Sequence, residues 1–187
     1  MEMQQQAERF GARIQFGSAV DAIDFSGSPL KLTVDGNEVE TQTVVIASGA
    51  GHRHLGLDSE AALEKKGVTY CATCDGALPM FRDQPLVVVG GGDSACEEAT
   101  YLTRFASKVY LVHRRDELRA SKIMAERTLS HDKIEMVWNS EVTEVTDVEQ
   151  DKVTGVKVRN TSGEESTIDC AGLFIAIGHV PNTQLFQ

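Results

Sequence analysis

The chain has 187 residues, 41 % of them hydrophobic, and carries a formal charge of −10 from 28 acidic and 18 basic residues; that is enough apolar material for one large domain or one and a half small ones. With no basic stripe outside Arg114 to Arg119, the acidic balance argues against nucleic acid as a partner. No apolar run approaches the roughly 20 residues that span a bilayer, and the Gln- and Glu-rich start lacks a signal peptide's apolar segment, so no membrane partner and a cytoplasmic location are expected.

Met3, Ala7 and Phe10 stand at helical spacing and Gly11 stops the run, so the chain is expected to open on the end of a helix. Short strands follow: Ile14 to Phe16, Ala19 to Phe25, and Leu30 to Val34 with alternating polarity, then one around Val39 after the turn Asp35-Gly36-Asn37. They lead to the apolar run Val44 to Ala47 and the turn Ser48 to Gly51. A polar linker reaches Asp58, and a short helix is expected around Ala61 to Lys66.

From Pro85 the signal sharpens. Leu86-Val87-Val88-Val89 is too short for a helix and β-branched enough for a buried parallel strand. Behind it Gly90-Gly91-Gly92-Asp93-Ser94-Ala95 reads G-x-G-x-x-A, followed by a helix with Ala95, Ala99, Leu102 and Ala106 on one face. Gly90 allows the tight turn, Gly92 the close approach of a pyrophosphate and Ala95 close packing of helix on strand, with the pyrophosphate on the free N–H groups of the helix start. A second strand, Val109 to Val112, ends in His113-Arg114-Arg115, with Arg119 one helical turn on. An NAD site wants a carboxylate near that place and a 2′-phosphate wants arginine, so the stretch reads as an NADPH site. Glu97 and Glu98, read as first-turn residues, count mildly against anion binding, and Ser94 with Glu97 fits a capping box.

Beyond it a helix from about Arg119 to Leu129, a strand Ile134 to Trp138 and a meander, Val142 to Val148 and Val153 to Asn160, are expected, closed by Leu173 to Gly178. That last run matches Val44 to Gly49 in character and place. The chain therefore reads as α/β, two copies of one Rossmann-like three-layer plan with a parallel sheet and a meander. The expected division is 1–53 as part of one domain, 54–178 as a complete one, and 179–187 returning to the first. The alternative is that residues 1–50 form an antiparallel cap on a single domain.

Four cysteines are too few for a secreted disulfide scaffold of this length, and Cys71 and Cys74 form a C-x-x-C. In a helical turn the two sulfurs come within reach of each other, which can lower the thiolate pKa and favours a reversible disulfide. Asp75 stands beside the second sulfur to carry a proton. Zinc would need two further ligands, whereas Cys96 and Cys170 are singletons and no histidine has finger spacing, so no metal is expected. Two inert core cysteines are the bland reading. A thioredoxin-type domain would need a strand directly before the motif, where the sequence shows a helix-like stretch and Gly67-Val68. His52, His54 and His131 lie in polar segments and are expected to face water.

Taken together, Cys71-Ala72-Thr73-Cys74-Asp75-Gly76, Val89 to Ala95, His113-Arg114-Arg115 with Arg119-Ala120-Ser121-Lys122, and Ala171 to His179 with Pro181-Asn182 resemble the low-molecular-weight thioredoxin reductases of the pyridine nucleotide-disulfide oxidoreductase family. The resemblance implies a cycle in which NADPH reduces FAD, the flavin reduces a Cys71–Cys74 disulfide, and the dithiol reduces thioredoxin. It implies that Cys74 faces the flavin, Cys71 attacks the partner's disulfide and Asp75 is the acid. NADPH would be held by Gly90, Gly92, Asp93, Ser94, Ala95, His113, Arg114, Arg115, Arg119 and Ile177, and FAD touched by Ala47, Ser48 and Gly49, where the family usually has Thr for Ser48. The family's FAD-binding glycine turn would precede Met1 and its second FAD segment follow Gln187. The parent is therefore expected to be a homodimer of which this is the central fragment, and the fragment alone to bind NADPH, stay colourless and turn nothing over. Two further readings stand beside it: a flavoprotein that reduces a peroxiredoxin, and a non-catalytic NADPH-binding fragment.

Overall fold

A computed structural model describes residues 2–186; Met1 and Gln187, the outer ends of the first and last expected segments, lie outside the described residues. The chain divides into two compact units, Met1–Ala50 with Pro181–Gln187, and Gly51–Val180.

In the first unit, α1 (Glu2–Arg9) ends at Gly11, whose φ of 88° suits a residue without a Cβ. The strands β1 (Val20–Asp24), β2 (Leu30–Val34) and β3 (Asn37–Thr41) form an antiparallel sheet in that order. The β2–β3 hairpin turns at Asp35 and Gly36, both at positive φ, the pair that matches the twist of the flanking strands. The Asp35 carboxylate accepts from the Ala19 N–H at 3.0 Å, tying the start of β1 to that turn.

Two expected strands are not formed here. Ile14 to Phe16 and Val44 to Ala47 are irregular, pair with no strand among the described residues, and leave Phe16 73 % and Val45 90 % exposed. β-Branched composition makes a strand only where neighbouring strands take up its N–H and C=O groups.

β4 (Ala50–His52) pairs with β13 (His179–Pro181). Between them the chain runs through α2 (Asp58–Ala62), β5 (Val68–Thr69), α3 (Ala72–Asp75), β6 (Pro85–Gly90), α4 (Asp93–Leu102), β7 (Lys108–Val112), α5 (Lys122–Leu129) and β8 (Ile134–Val137). The meander β9 (Ser140–Val145), β10 (Gly155–Asn160), β11 (Glu165–Asp169) and then β12 (Gly172–Ala176) follow. The strands β5-β12-β6-β7-β8 make one parallel sheet in that order.

Period-two alternation sorts the apolar strands between two cores. Leu86 and Val88 of β6, Val109 and Leu111 of β7 and Phe174 of β12 point at Ala95, Ala99 and Leu102 of α4 and at Phe81. Val87, Val89, Val112, Leu173 and Ile175 point the other way, at Val142, Val145, Val156 and Val158 of the meander. The sheet is thus the middle of three layers, and a fully buried Phe174 or Leu173 contributes on the order of 1.5–3 kcal/mol.

Five expectations change in this unit. α2 runs Asp58–Ala62 rather than Ala61 to Lys66, since Glu60 takes up the Gly56 and Leu57 N–H groups at its start. α5 starts at Lys122 rather than Arg119, and the meander has a third strand, β11, whose polar sequence hides it. Val148, expected at the end of a strand, lies in a 3-10 turn behind the left-handed Asp147. A two-residue strand, β5, does stand just before the cysteines.

Candidate functional site

The glycine turn joins the C-terminal end of β6 to the start of α4. Gly90 has φ 153°, and a Cβ there would run into the carbonyl oxygen of Ala176 and come within 2.7 Å of the Ala95 Cβ. Gly91 is closed off by a residue the motif does not count: the His113 ring fills the place of its Cβ. A Cβ at Gly92 would meet nothing within 4 Å, so the space over the helix start is open there. Gly92 is the N-cap, and no side chain caps α4. The expected Ser94–Glu97 capping box is therefore absent. Helix numbering from Asp93 also puts Glu97 and Glu98 in the second turn, away from the N–H groups that an anion would use. An uncapped ten-residue helix behind an open glycine turn fits a dinucleotide pyrophosphate.

His113, enrolled by the resemblance among the cofactor residues, lies beneath the turn, 7 % exposed and with Nε2 unpaired. Burial pushes its pKa down and outweighs the Glu117 carbonyl, which opposes it; the neighbouring Arg115 and Arg114 add to the lowering, and the Gly90 carbonyl pulls slightly back. It stands as a neutral wedge that holds Gly91.

The arginine loop is sewn to this turn at two points. The Arg119 N–H donates to the Gly91 carbonyl at 2.6 Å. The Asp93 carboxylate accepts from Ser121, from its N–H at 2.9 Å and from its hydroxyl at 2.8 Å, which holds Asp93 below the usual carboxylate range. These bonds explain why α5 begins only after Ser121, and they satisfy an acid that would otherwise oppose a phosphate. Arg114, Arg115 and Arg119 are exposed, and among the described residues no carboxylate pairs with them. Asp93→Ala is expected to loosen the loop and weaken NADPH binding several-fold while the sheet stays folded. Calorimetry beside a thermal melt checks this, and an unchanged Kd would show that the stitch is idle.

Cys71 and Cys74 are joined in a disulfide with Cα atoms 5.3 Å apart, inside the normal range for such bridges. Cys71 is the N-cap of α3, and its sulfur accepts from the Cys74 N–H at 3.2 Å. Cys71 is half-buried and Cys74 exposed. The Thr69 hydroxyl donates to the Asp75 carboxylate and accepts from the Cys71 N–H at 3.3 Å, so Asp75 is tied to the base of the same turn. Cys96 and Cys170 are buried free thiols, with burial pushing Cys170 up to about 12. Among the described residues no group of three or more His, Cys, Asp or Glu is arranged to hold a metal ion.

Just before the cysteines lies a polar cluster that the sequence did not announce. The Glu60 carboxylate, 2 % exposed, accepts from the Tyr70 hydroxyl at 2.8 Å and from the Gly56 N–H at 2.9 Å. His54 Nδ1 is 2.8 Å from that hydroxyl, and His52 stacks on the Tyr70 ring with centroids 5.2 Å apart. His52 and His54 are exposed as expected but engaged, and His131 is half-buried. Burial and Glu60 push the Tyr70 phenol well above its ordinary range.

Ile177 follows β12 and packs on the meander-side core. In the other unit Ala47, Ser48 and Gly49 are exposed, and the Ser48 hydroxyl donates to the Asn182 carbonyl at 2.6 Å while the Asn182 amide donates back to the Ser48 carbonyl at 3.0 Å. Among the described residues only the turn after β6 leads glycines into a helix start, so the residues present fit one dinucleotide pyrophosphate and not a second.

No helix among the described residues is long and apolar enough to cross a membrane. Comparison with known proteins gives one consistent answer. The thioredoxin reductase of Mycolicibacterium smegmatis is 53 % identical over 189 residues, covering 100 % of this chain and 58 % of that protein. Thioredoxin reductase 2 of Arabidopsis thaliana is 47 % identical over 192 residues, covering 100 % of this chain and 50 % of that one. The solved thioredoxin reductase of Streptococcus pyogenes superposes with a TM-score of 0.78 at 42 % identity, over 100 % of this chain and 60 % of its own. The chain thus spans between 50 % and 60 % of the length of these relatives. Since a single family model takes in residues 2–187, with the cysteine turn, the glycine turn and the closing strand all inside it, the chain belongs to the pyridine nucleotide-disulphide oxidoreductase family.

Proposed function

We propose that the chain is the part of an NADPH-dependent thioredoxin-disulfide reductase that binds NADPH and carries the redox-active cysteines. Residues 54–178 are the NADPH-binding domain with the cysteine pair. Residues 1–53 and 179–187 belong to a FAD-binding domain, in which Ala47, Ser48 and Gly49 touch the flavin. The parent works as a cytoplasmic homodimer with thioredoxin as its protein substrate.

The observation that supports this most is the closed Cys71–Cys74 bridge on α3, packed against α4, the helix that begins at the glycine turn. NADPH, when bound, supplies a hydride, and in the parent FAD relays its electrons to the disulfide. This chain's own residues have simpler tasks. The α4 N–H groups take the pyrophosphate, with Gly90, Gly92, Ser94 and Ala95 shaping that cradle. Arg114, Arg115 and Arg119 take the 2′-phosphate, and Ile177 lies beside the bound nucleotide. The electron pair enters at Cys74 as the S–S bond breaks, Asp75 protonates the Cys74 sulfur and Cys71 is left a thiolate; Cys71 attacks the thioredoxin disulfide and expels one thioredoxin sulfur as a thiolate, and Cys74, returning its proton to Asp75, attacks Cys71 to close the bridge and release the other.

Alkylation with peptide mapping tests the cysteine assignment. Before reduction Cys71 and Cys74 should resist labelling and afterwards both should take it, while Cys96 and Cys170 stay unreactive until the chain unfolds. Stoichiometric zinc with both motif thiols blocked would sink the redox reading.

A further inference from the structure

Glu98 has no task in the scheme above, yet it occupies a costly place. It lies on the face of α4 that α3 covers: Gly76, at the end of α3, abuts Leu102 and Tyr101, four and three residues further along α4. Its Oε2 is buried without a hydrogen-bond partner, and the backbone N–H of Ala72, the first residue of α3, favours the charged form of the carboxyl. Burial pushes Glu98 up to about 7, the Ala72 N–H holds part of that rise back, and Glu97 adds to it. A buried carboxyl with an unpaired oxygen is destabilising where an apolar side chain would fill the same space.

Ala72 stands between the two cysteines, at the positive end of the short turn they share. Negative charge on a sulfur is favoured by the N–H groups there and opposed by a carboxylate behind them. We propose that Glu98 sets the redox poise of the Cys71–Cys74 pair, its carboxylate opposing thiolate formation from behind α3 and so favouring the disulfide. The inference rests on the redox reading of these cysteines. Other charges leave the matter to few groups. α3 brings Cys71, Cys74 and Asp75; on α4 only Glu97 acts on Glu98; β6 and β12 carry no charge. Lys108 of β7 is paired with Glu135, and α5 packs on the opposite side of α4, where Thr128 meets Cys96.

Equilibration of the 187-residue chain with a glutathione redox buffer tests the proposal. Two glutathione thiols give up two electrons and two protons as they join in a disulfide, and the Cys71–Cys74 bond opens to two thiols. Glu98→Gln keeps the shape and the acceptor for Ala72 but removes the charge. It should shift the equilibrium toward the dithiol roughly three- to tenfold and lower the first thiol pKa read from thiolate absorbance. Glu97→Gln, on an exposed neighbour, should do much less. Equal shifts in both variants, or none in E98Q, overturn the role of Glu98 and leave the redox reading standing. An unmodified chain whose cysteines never exchange with glutathione sinks both. If E98Q does not fold, the unmodified chain decides: its equilibrium should bend near the pH where Glu98 titrates, and a pH dependence accounted for by the two thiols alone overturns the proposal.

Discussion

Replacing Arg114, Arg115 and Arg119 together by alanine is expected to erase a preference for NADPH over NADH while leaving NADH binding nearly unchanged. The three side chains are exposed, unpaired among the described residues and carried on a loop fixed to the glycine turn by Arg119 N–H and Asp93. On the proposed reading they would meet the 2′-phosphate without having to break existing ion pairs. Each charge-assisted bond contributes about 1.5–3 kcal/mol, so losing two of them already costs about a hundredfold in Kd. NADH lacks the phosphate and depends on the α4 N–H groups, which the substitution does not touch. Calorimetry with both nucleotides gives the answer. Equal affinities in the unmodified chain would remove the arginines from the site.

The second large effect is expected at Gly90→Ala. The new methyl would meet the Ala176 carbonyl oxygen and the Ala95 Cβ, the first a backbone atom of a central strand and the second on the first turn of α4. Neither can swing aside as a long side chain would. The φ of 153° adds strain for any residue with a Cβ. Overpacking and strain together are expected to cost roughly 2–5 kcal/mol, at about 2–4 °C of Tm for each kcal/mol, and NADPH binding should be lost as the turn opens. Gly92→Ala is the control, since its Cβ meets nothing in the protein. It should keep the melting temperature and lose affinity only. A Gly90 variant that melts normally and binds NADPH would show that the turn is not the cradle.

Much of the second unit was legible because its buried strands carry their own evidence. Leu86 to Val89 and Leu173 to Ile175 are apolar on both faces, as a strand between two layers must be, and Ala95, Ala99 and Leu102 mark the helix face that covers them. Val44 to Ala47 has the same composition and forms no strand, since pairing is a property of neighbours and not of the run itself. β11 was illegible for the converse reason. Its residues Glu165 to Asp169 are polar, and the strand exists through its hydrogen bonds to β10, with Ile168 alone facing the core. The glycine turn before α4 and the closed cysteine pair could be read from spacing. The supports could not: His113 beneath Gly91, Asp93 holding Ser121 and Glu60 holding Tyr70 join residues from about 10 to 28 positions apart in sequence or place a common side chain in an uncommon burial. Glu98 was read one turn too early, and its cover could not be read at all, because sequence places a residue on a helix but does not say which neighbour covers it.

The order of the parallel sheet has a consequence for how the chain is made. β12, the last of its five strands to leave the ribosome, lies between β5 and β6, the first two. Until residues 172–176 emerge, β6 presents an open edge and β5 has only its bridge to Glu64. At synthesis rates of about 5–20 residues per second the roughly eighty residues between β6 and β12 keep that edge bare for on the order of 4–16 s. An unpaired apolar edge of Val87 and Val89 is a template for another nascent chain. The cysteine turn hangs from β5, whose partner strand β12 is the last of the sheet to be made. A chain stopped short of β12 would carry the cysteine turn, the glycine turn and the arginines and still lack the strand that pairs with both β5 and β6.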